Sequence, residues 1–211
     1  MCGISGIFDW NSLKNAEHIA SIMKDAQDHR GPDFNSTHKD ENILISHNRL
    51  SIIDLDHHSN QPMHSNLGDV VISYNGELYN YLNLKSELEA TYSFKTQSDT
   101  EVIIASYLKW GIRMLDRFEG MFAFALWDKA KKQLFLARDR MGVKPLYFME
   151  YGRSLLFSSS CNAIIKAVSE KPFNLNKNSI QEYLNFGTVY SPSTIIDKVK
   201  CVEKSHYIHI S

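Results

Sequence analysis

The chain has 211 residues, 23 Lys and Arg against 24 Asp and Glu, a net charge of −1, and 43% hydrophobic residues, enough for one domain with a real core. That balance excludes the cationic surplus a nucleic-acid partner demands, and no apolar run reaches the roughly 20 residues of a membrane span. The opening Met-Cys-Gly-Ile-Ser-Gly-Ile-Phe-Asp-Trp lacks the basic and apolar regions of a secretory signal, so a cytoplasmic location is expected.

In chain order, Gly3 to Asp9 reads as a buried strand. Ile19, Ile22, Met23 and Ala26 fall at helical spacing, and the helix stops before a loop at His29-Arg30-Gly31-Pro32-Asp33. Ile43 to Leu50 is strand-like, Asp54 to Asp69 a long polar loop, and Val70 to Tyr74 a further strand. Tyr81, Leu84 and Leu88 predict a helix capped near Asn80. Ser98-Asp99-Thr100-Glu101 has the capping-box pattern and opens a helix with Val102, Ile103 and Tyr107 inward. Met121–Trp127 and Gln133–Ala137 form a hairpin, followed by strands near Leu146–Met149 and Leu155–Ser158. Helices near Asn162–Val168 and Ser179–Asn185 complete the series. Consecutive hairpins with helices grouped between them fit an α+β layered domain rather than alternating βαβ units. No repeat or linker divides it, so 1–211 is taken as one domain, with a terminal extension after about residue 190.

The cysteines, Cys2, Cys161 and Cys201, are too few for a disulfide scaffold and lack metal-binding Cys-x-x-Cys spacing. Cys2 stands where loss of the initiator Met frees its α-amine. A thiol near pKa 8.5 is only a few per cent ionised at neutral pH, and an α-amine of pKa about 7.7–8.0 is suited to take its proton. Nucleophile and base would then belong to one residue. Asn75-Gly76 after an apolar strand is the pattern of a tight hairpin turn. The same pair could also aim a side-chain amide and a backbone N–H at one oxyanion. Arg49 closes a strand, either as a solvated surface residue or as a bidentate partner for a carboxylate. Asp99 complements the helix dipole and could equally bind an ammonium. His57, His58 and His64 share the long loop without supporting Cys or carboxylate spacing, and no metal is expected.

In their order along the chain these segments resemble the glutamine amidotransferase domain, of the N-terminal-nucleophile class, at the front of glutamine-dependent asparagine synthetases. The carrying residues are Cys2-Gly3-Ile4-Ser5-Gly6, Arg30-Gly31-Pro32-Asp33, Arg49 to Asp54, Gln61-Pro62 and Asn75 to Asn80. Ser98 to Ile103, Phe122 to Asp128 and Ala137 to Tyr147 continue the likeness over nearly the whole chain. The resemblance implies a four-layer αββα sandwich of two antiparallel sheets between helices. It implies that Cys2 attacks the side-chain amide of L-glutamine, with Asn75 and Gly76 as the oxyanion hole. Arg49 would pair with the substrate α-carboxylate, Asp99 and Glu77 with the α-ammonium, and the Ile53 carbonyl would add an acceptor. Ammonia would pass to a synthetase domain or subunit, in cis or in trans. The chain has no Ser-Gly-Gly-x-Asp-Ser loop, so ATP and magnesium are expected only for that synthetase part, and no cofactor for this domain. Two other roles fit the same motifs: a non-catalytic glutamine-binding regulatory module, and a hydrolase feeding another acceptor such as a sugar acid.

Overall fold

Every residue from Gly3 to Phe8 is buried, the mark of a strand covered on both faces. The computed structural model describes residues 1–11, 13, 16–51, 57–168 and 173–211. The chain runs through β1 (Gly3–Asp9), α1 (Ala16–Asp25), β2 (Phe34–Lys39), β3 (Ile43–Arg49), β4 (Met63–His64) and β5 (Val70–Leu78). It continues through α2 (Tyr81–Leu88), α3 (Asp99–Trp110), β6 (Gly120–Asp128), β7 (Gln133–Arg138), β8 (Tyr147–Tyr151) and β9 (Ser154–Ser158). The last elements are α4 (Cys161–Ala167), α5 (Lys177–Phe186), β10 (Lys200–Cys201) and β11 (Tyr207–Ile210). Among the described residues, no helix is long and apolar enough to cross a membrane.

Two antiparallel sheets result, in the orders β10-β8-β9-β1-β3-β2 and β11-β7-β6-β5-β4. Strand alternation splits each sheet's side chains between two cores. Ile4, Phe8, Ile43 and Ile45 of the first sheet meet Val71, Ala123, Ala125 and Trp127 of the second. On its other face the first sheet packs Ile7, Leu44 and Leu156 on Ala20 and Met23 of α1 and Ile164 of α4. The second packs Ile72, Tyr74, Phe122 and Phe124 on Leu84 of α2 and Ile103 of α3. The αββα sandwich is therefore present as expected. Gly6 keeps the first sheet tight, because a Cβ there would stand 2.2 Å from the Phe157 ring and 2.5 Å from Leu44 O.

The period of two also positions the site. Toward one end of the sandwich the inter-sheet face of β3 changes from apolar Ile43 and Ile45 to buried His47 and Arg49, while Ser46 and Asn48 are buried on its other face with Leu44. Hydrogen bonds hold these side chains: Ser46 Oγ lies 2.8 Å from Thr37 Oγ1, His47 Nδ1 2.9 Å from Ser73 Oγ, and Asn48 Nδ2 donates to Asp28 Oδ1 at 2.8 Å.

Several local readings are corrected. Asn75-Gly76 is no turn: β5 continues to Leu78, with Asn75 opposite Ala123 and Gly76 opposite Phe122. Gly76 is required by close approach instead, since its Cβ would meet Met121 O at 2.5 Å and Phe122 Cα at 2.8 Å. The polar loop read over 54–69 contains the short strand β4, and its residues 54–56 lie outside the described ones. Asn80 does not cap α2 with its side chain, which donates to Arg117 O and accepts from Glu119 N. The capping box of α3 is half made: Ser98 Oγ accepts from Thr100 N, while Glu101 binds the N–H groups of Lys95 and Thr96.

Candidate active site

Cys2 is fixed from three sides. Ser159 pins the neighbouring strand backbone, its N–H reaching Ile4 O at 2.8 Å and its Oγ accepting from Ile4 N at 3.1 Å. Arg30 Nε donates to Cys2 O at 3.1 Å. The Arg30-Gly31-Pro32-Asp33 loop lies directly on β3, because a Cβ on Gly31 would stand 2.2 Å from Asn48 O. Asp33 then ties down the segment after β3 by accepting from Ser51 N at 2.7 Å. Leu50, between these anchors, donates its N–H to Cys2 Sγ at 3.4 Å. Burial raises the thiol pKa, while the Leu50 N–H, the chain's terminal ammonium, Arg49 and Arg30 draw it down by a smaller amount. The net rise leaves Cys2 a protonated thiol at neutral pH, so attack requires a base.

The other candidates face the same space. Cys2, Arg49, Asn75, Gly76, Glu77 and Asp99 all line one pocket, opened where the two sheets lose their apolar filling. Arg49 is buried, not solvated, and its Nη1 donates to Asn60 Oδ1 at 2.6 Å. Asp99, at the first turn of α3, is 4% exposed and accepts from Tyr74 Oη at 2.9 Å and Leu78 N at 3.0 Å. Burial raises its pKa against the pull of those donors and of the helix N–H groups. Glu77 is exposed at the pocket rim. Ile53 lies outside the described residues.

Asn75 Nδ2 is buried and has no hydrogen-bond acceptor among the described residues, although Asn75 lines the pocket that holds the thiol. The Gly76 N–H is aimed by strand geometry. Phe122, opposite Gly76, spends its own N–H and C=O on Asp139. Tyr74 N and Leu78 N leave β5 on the edge away from β6 and bind Gln61 Oε1 at 2.6 Å and Asp99 Oδ2. Midway between them, the Gly76 N–H faces that same edge by the two-residue repeat. An amide donor and a backbone donor thus share one pocket with the Cys2 thiol.

Three residues of the pocket escaped the sequence reading. Gln61 bridges Tyr74 N to Thr100 Oγ1 (3.2 Å from its Nε2) and so couples β5 to α3. Tyr74 holds Asp99. Lys144 enters from the β7–β8 connection. Gln61 and Lys144 lie inside segments that carried the resemblance, but only the fold brings them to Cys2. The loop histidines divide into two places: the His57 and His58 rings are 4.0 Å apart, while His64 lies 4.9 Å from His38. Among the described residues no group of three His, Cys, Asp or Glu could hold a metal.

A family model described as a glutamine amidotransferase domain matches residues 1–211. The chain belongs to the glutamine amidotransferase family. Among named relatives of this amidotransferase, asparagine synthetase [glutamine-hydrolyzing] 1 of Bacillus subtilis is 36% identical over 207 residues, covering 96% of this chain and 32% of the relative. A putative asparagine synthetase [glutamine-hydrolyzing] 2 of Methanocaldococcus jannaschii is 38% identical over 215 residues, covering 92% of this chain and 41% of the relative. The amidotransferase chain thus spans 32% to 41% of the length of these relatives. The solved glutamine phosphoribosylpyrophosphate amidotransferase of B. subtilis superposes with a TM-score of 0.68 at 18% identity, over 99% of this chain and 49% of that one. At that identity the likeness establishes a shared fold, which is the four-layer sandwich the resemblance implied.

Proposed function

We propose that this domain hydrolyses L-glutamine to L-glutamate and ammonia through a thioester on Cys2. The observation that carries the reading is the buried Asn75 Nδ2, a donor without an acceptor beside a thiol that needs a base. Leaving a buried amide unpaired costs about 1–3 kcal/mol, a cost that a substrate oxyanion would relieve.

In this mechanism Arg49 holds the substrate α-carboxylate, and Asp99 with Glu77 holds the α-ammonium, one fixed cation facing two fixed anions. The Ile53 carbonyl is a further acceptor for the ammonium. The Cys2 amine takes the thiol proton, sulfur bonds to the amide carbon, and negative charge collects on the amide oxygen between Asn75 Nδ2 and the Gly76 N–H. The amine returns the proton to the departing nitrogen, the C–N bond breaks, and ammonia leaves. Water then opens the thioester. With Met1 attached the Cys2 nitrogen is an amide and Met1 itself lines the pocket, so the active form has lost Met1.

The names of the relatives support an ammonia acceptor on a synthetase domain or subunit, in cis or in trans, making asparagine. ATP and magnesium belong to that part in this reading, since the steps above use only this domain's side chains, its amine and water. The deciding experiment is the intact mass of the chain after exposure to 6-diazo-5-oxo-norleucine, an electrophilic glutamine analogue. A mass lacking Met1 and carrying one adduct, absent from Cys2→Ala, is expected. A chain that has lost Met1 yet gains no adduct overturns the hydrolase reading in favour of a glutamine-binding module.

A further inference from the structure

Lys144 has a place in the pocket that glutamine does not explain. The residue is 8% exposed and lines the pocket, yet among the described residues its ammonium has neither an ion-pair partner nor a hydrogen-bond acceptor. Its backbone is locked on both sides: the N–H donates to Asp139 Oδ2 at 3.0 Å, and the carbonyl accepts from Arg138 Nε at 2.9 Å. The neighbouring charges are already committed to backbone. Asp139 accepts from Phe122 N, Met141 N and Val143 N as well, and Arg138 also reaches Gly142 O and Val202 O. A lysine whose stem is buried and whose backbone is held in this way, with its ammonium at the pocket and no ion-pair partner among the described residues, is a site for an anionic group of a ligand.

Strand order says which group. From β3, which ends in Arg49, the first sheet passes through β1, headed by Cys2, then β9, then β8, where the Lys144 connection arrives. Arg49 and Lys144 therefore approach Cys2 from opposite sides. Glutamine brings one carboxylate, which Arg49 answers, and its amide end is neutral. Glutamate brings a second carboxylate at the carbon that Cys2 attacked. It forms when water oxygen bonds to the acyl carbon, the C–S bond breaks, sulfur regains a proton, and the new acid loses its own proton to solvent. Resting on the glutamine reading above, we propose that Lys144 recognises the γ-carboxylate of L-glutamate, so that the pocket retains its product and glutamate restrains turnover.

Calorimetric titration of L-glutamate and L-glutamine into the Cys2→Ala chain, which cannot turn over, tests this directly. With Lys144 present, glutamate is expected to bind at least as tightly as glutamine. Lys144→Gln should raise the ratio of glutamate Kd to glutamine Kd by about tenfold or more, the scale of one charge-assisted hydrogen bond, and Lys144→Arg should restore most of it. A ratio that Lys144→Gln leaves unmoved, or equal loss of both ligands, overturns the assignment. So does glutamate binding a hundredfold weaker than glutamine before any change at Lys144, a result that needs no folded variant. A pocket that takes glutamine but fails these tests sinks the lysine role alone; one that takes neither ligand sinks the glutamine reading with it.

Discussion

Asn75 and Asp99 sit in one pocket but act on different parts of the proposed reaction, and the difference is measurable. Asn75 Nδ2 is idle in the free protein and gains an acceptor only as charge develops on the amide oxygen. Asn75→Ala should therefore lower kcat by roughly 10²–10³ with little change in KM. In the proposed reaction Asp99 would hold the substrate ammonium throughout, so Asp99→Asn should raise KM far more than it lowers kcat. Steady-state glutamate release across a glutamine series separates the two, and a parallel rise of KM in both variants would remove Asn75 from the oxyanion role. These residues were legible because motif order supplied what single motifs did not. Taken alone, Asn75-Gly76 reads as a turn and Arg49 as a surface residue. Lys144 was not legible as a site residue: the sequence shows one lysine among many, and its burial arises from the Asp139 and Arg138 bonds that pin its backbone.

At the scale of elements, the connection between β7 and β8 carries an unusual load. Arg138, Asp139 and Arg140 follow one another, and each spends its charge on backbone groups. Arg140 Nη2 reaches Leu115 O at 3.0 Å, and Arg140 Nη1 also donates to Phe118 O. Asp139, 1% exposed, is the centre of this arrangement, accepting from Phe122 N at 3.2 Å and from Met141, Val143 and Lys144 N at 3.0 Å each. Asp139→Ala would strand several of those donors, at about 1–3 kcal/mol for each that finds no water. A loss of roughly 4 kcal/mol in urea unfolding is expected; a loss below about 1 kcal/mol would show that the connection does not depend on this carboxylate. The main strands and helices were readable from apolar periodicity. The edge strand β2, Phe34-Asn35-Ser36-Thr37-His38-Lys39, was not, because an exposed edge needs no apolar face and its pairing comes from β3 alone. The short strands β10 and β11 were missed for a related reason: Lys200 pairs with Phe148 and Tyr207 with Ala137, contacts that depend on partners far back in the chain. Through them the final residues, from Lys200 on, join both sheets.

The two sheets meet in a layer that is oily at one end and reactive at the other, and the whole molecule's response to acid follows from that gradient. His47 stands at the transition, fully buried, cross-strand from Ile4 and two residues from Arg49. The Ser73 hydroxyl donates to Ser46 O at 3.3 Å, leaving its oxygen to accept from His47 Nδ1–H, while Nε2 has no partner among the described residues. Burial, and then the Arg49 charge, push the His47 pKa down to about 3, against about 6.5 in an unfolded chain. Between those values the unfolded state binds a proton that the folded state refuses. The neutral ring's contribution is therefore complete above pH 6.5 and declines as pH falls, by about 1.4 kcal/mol per unit, until pH 3. Comparing urea unfolding at pH 7 and pH 4.5, the native chain should lose roughly 2–3 kcal/mol more than His47→Gln, which keeps a side-chain hydrogen bond but cannot take up the proton. His38 and His64, whose pKa values are also lowered by burial, remain in both chains and cancel in the difference. Equal losses would mean that the ring is hydrated or charged in the folded state, and that the polar end of the layer is wetter than its packing implies. A chain that resists acid without His47 would also keep the Cys2 pocket assembled at a pH where the native chain opens, since Arg49 at the end of the same strand and the Leu50 N–H that holds the Cys2 thiol follow directly after it.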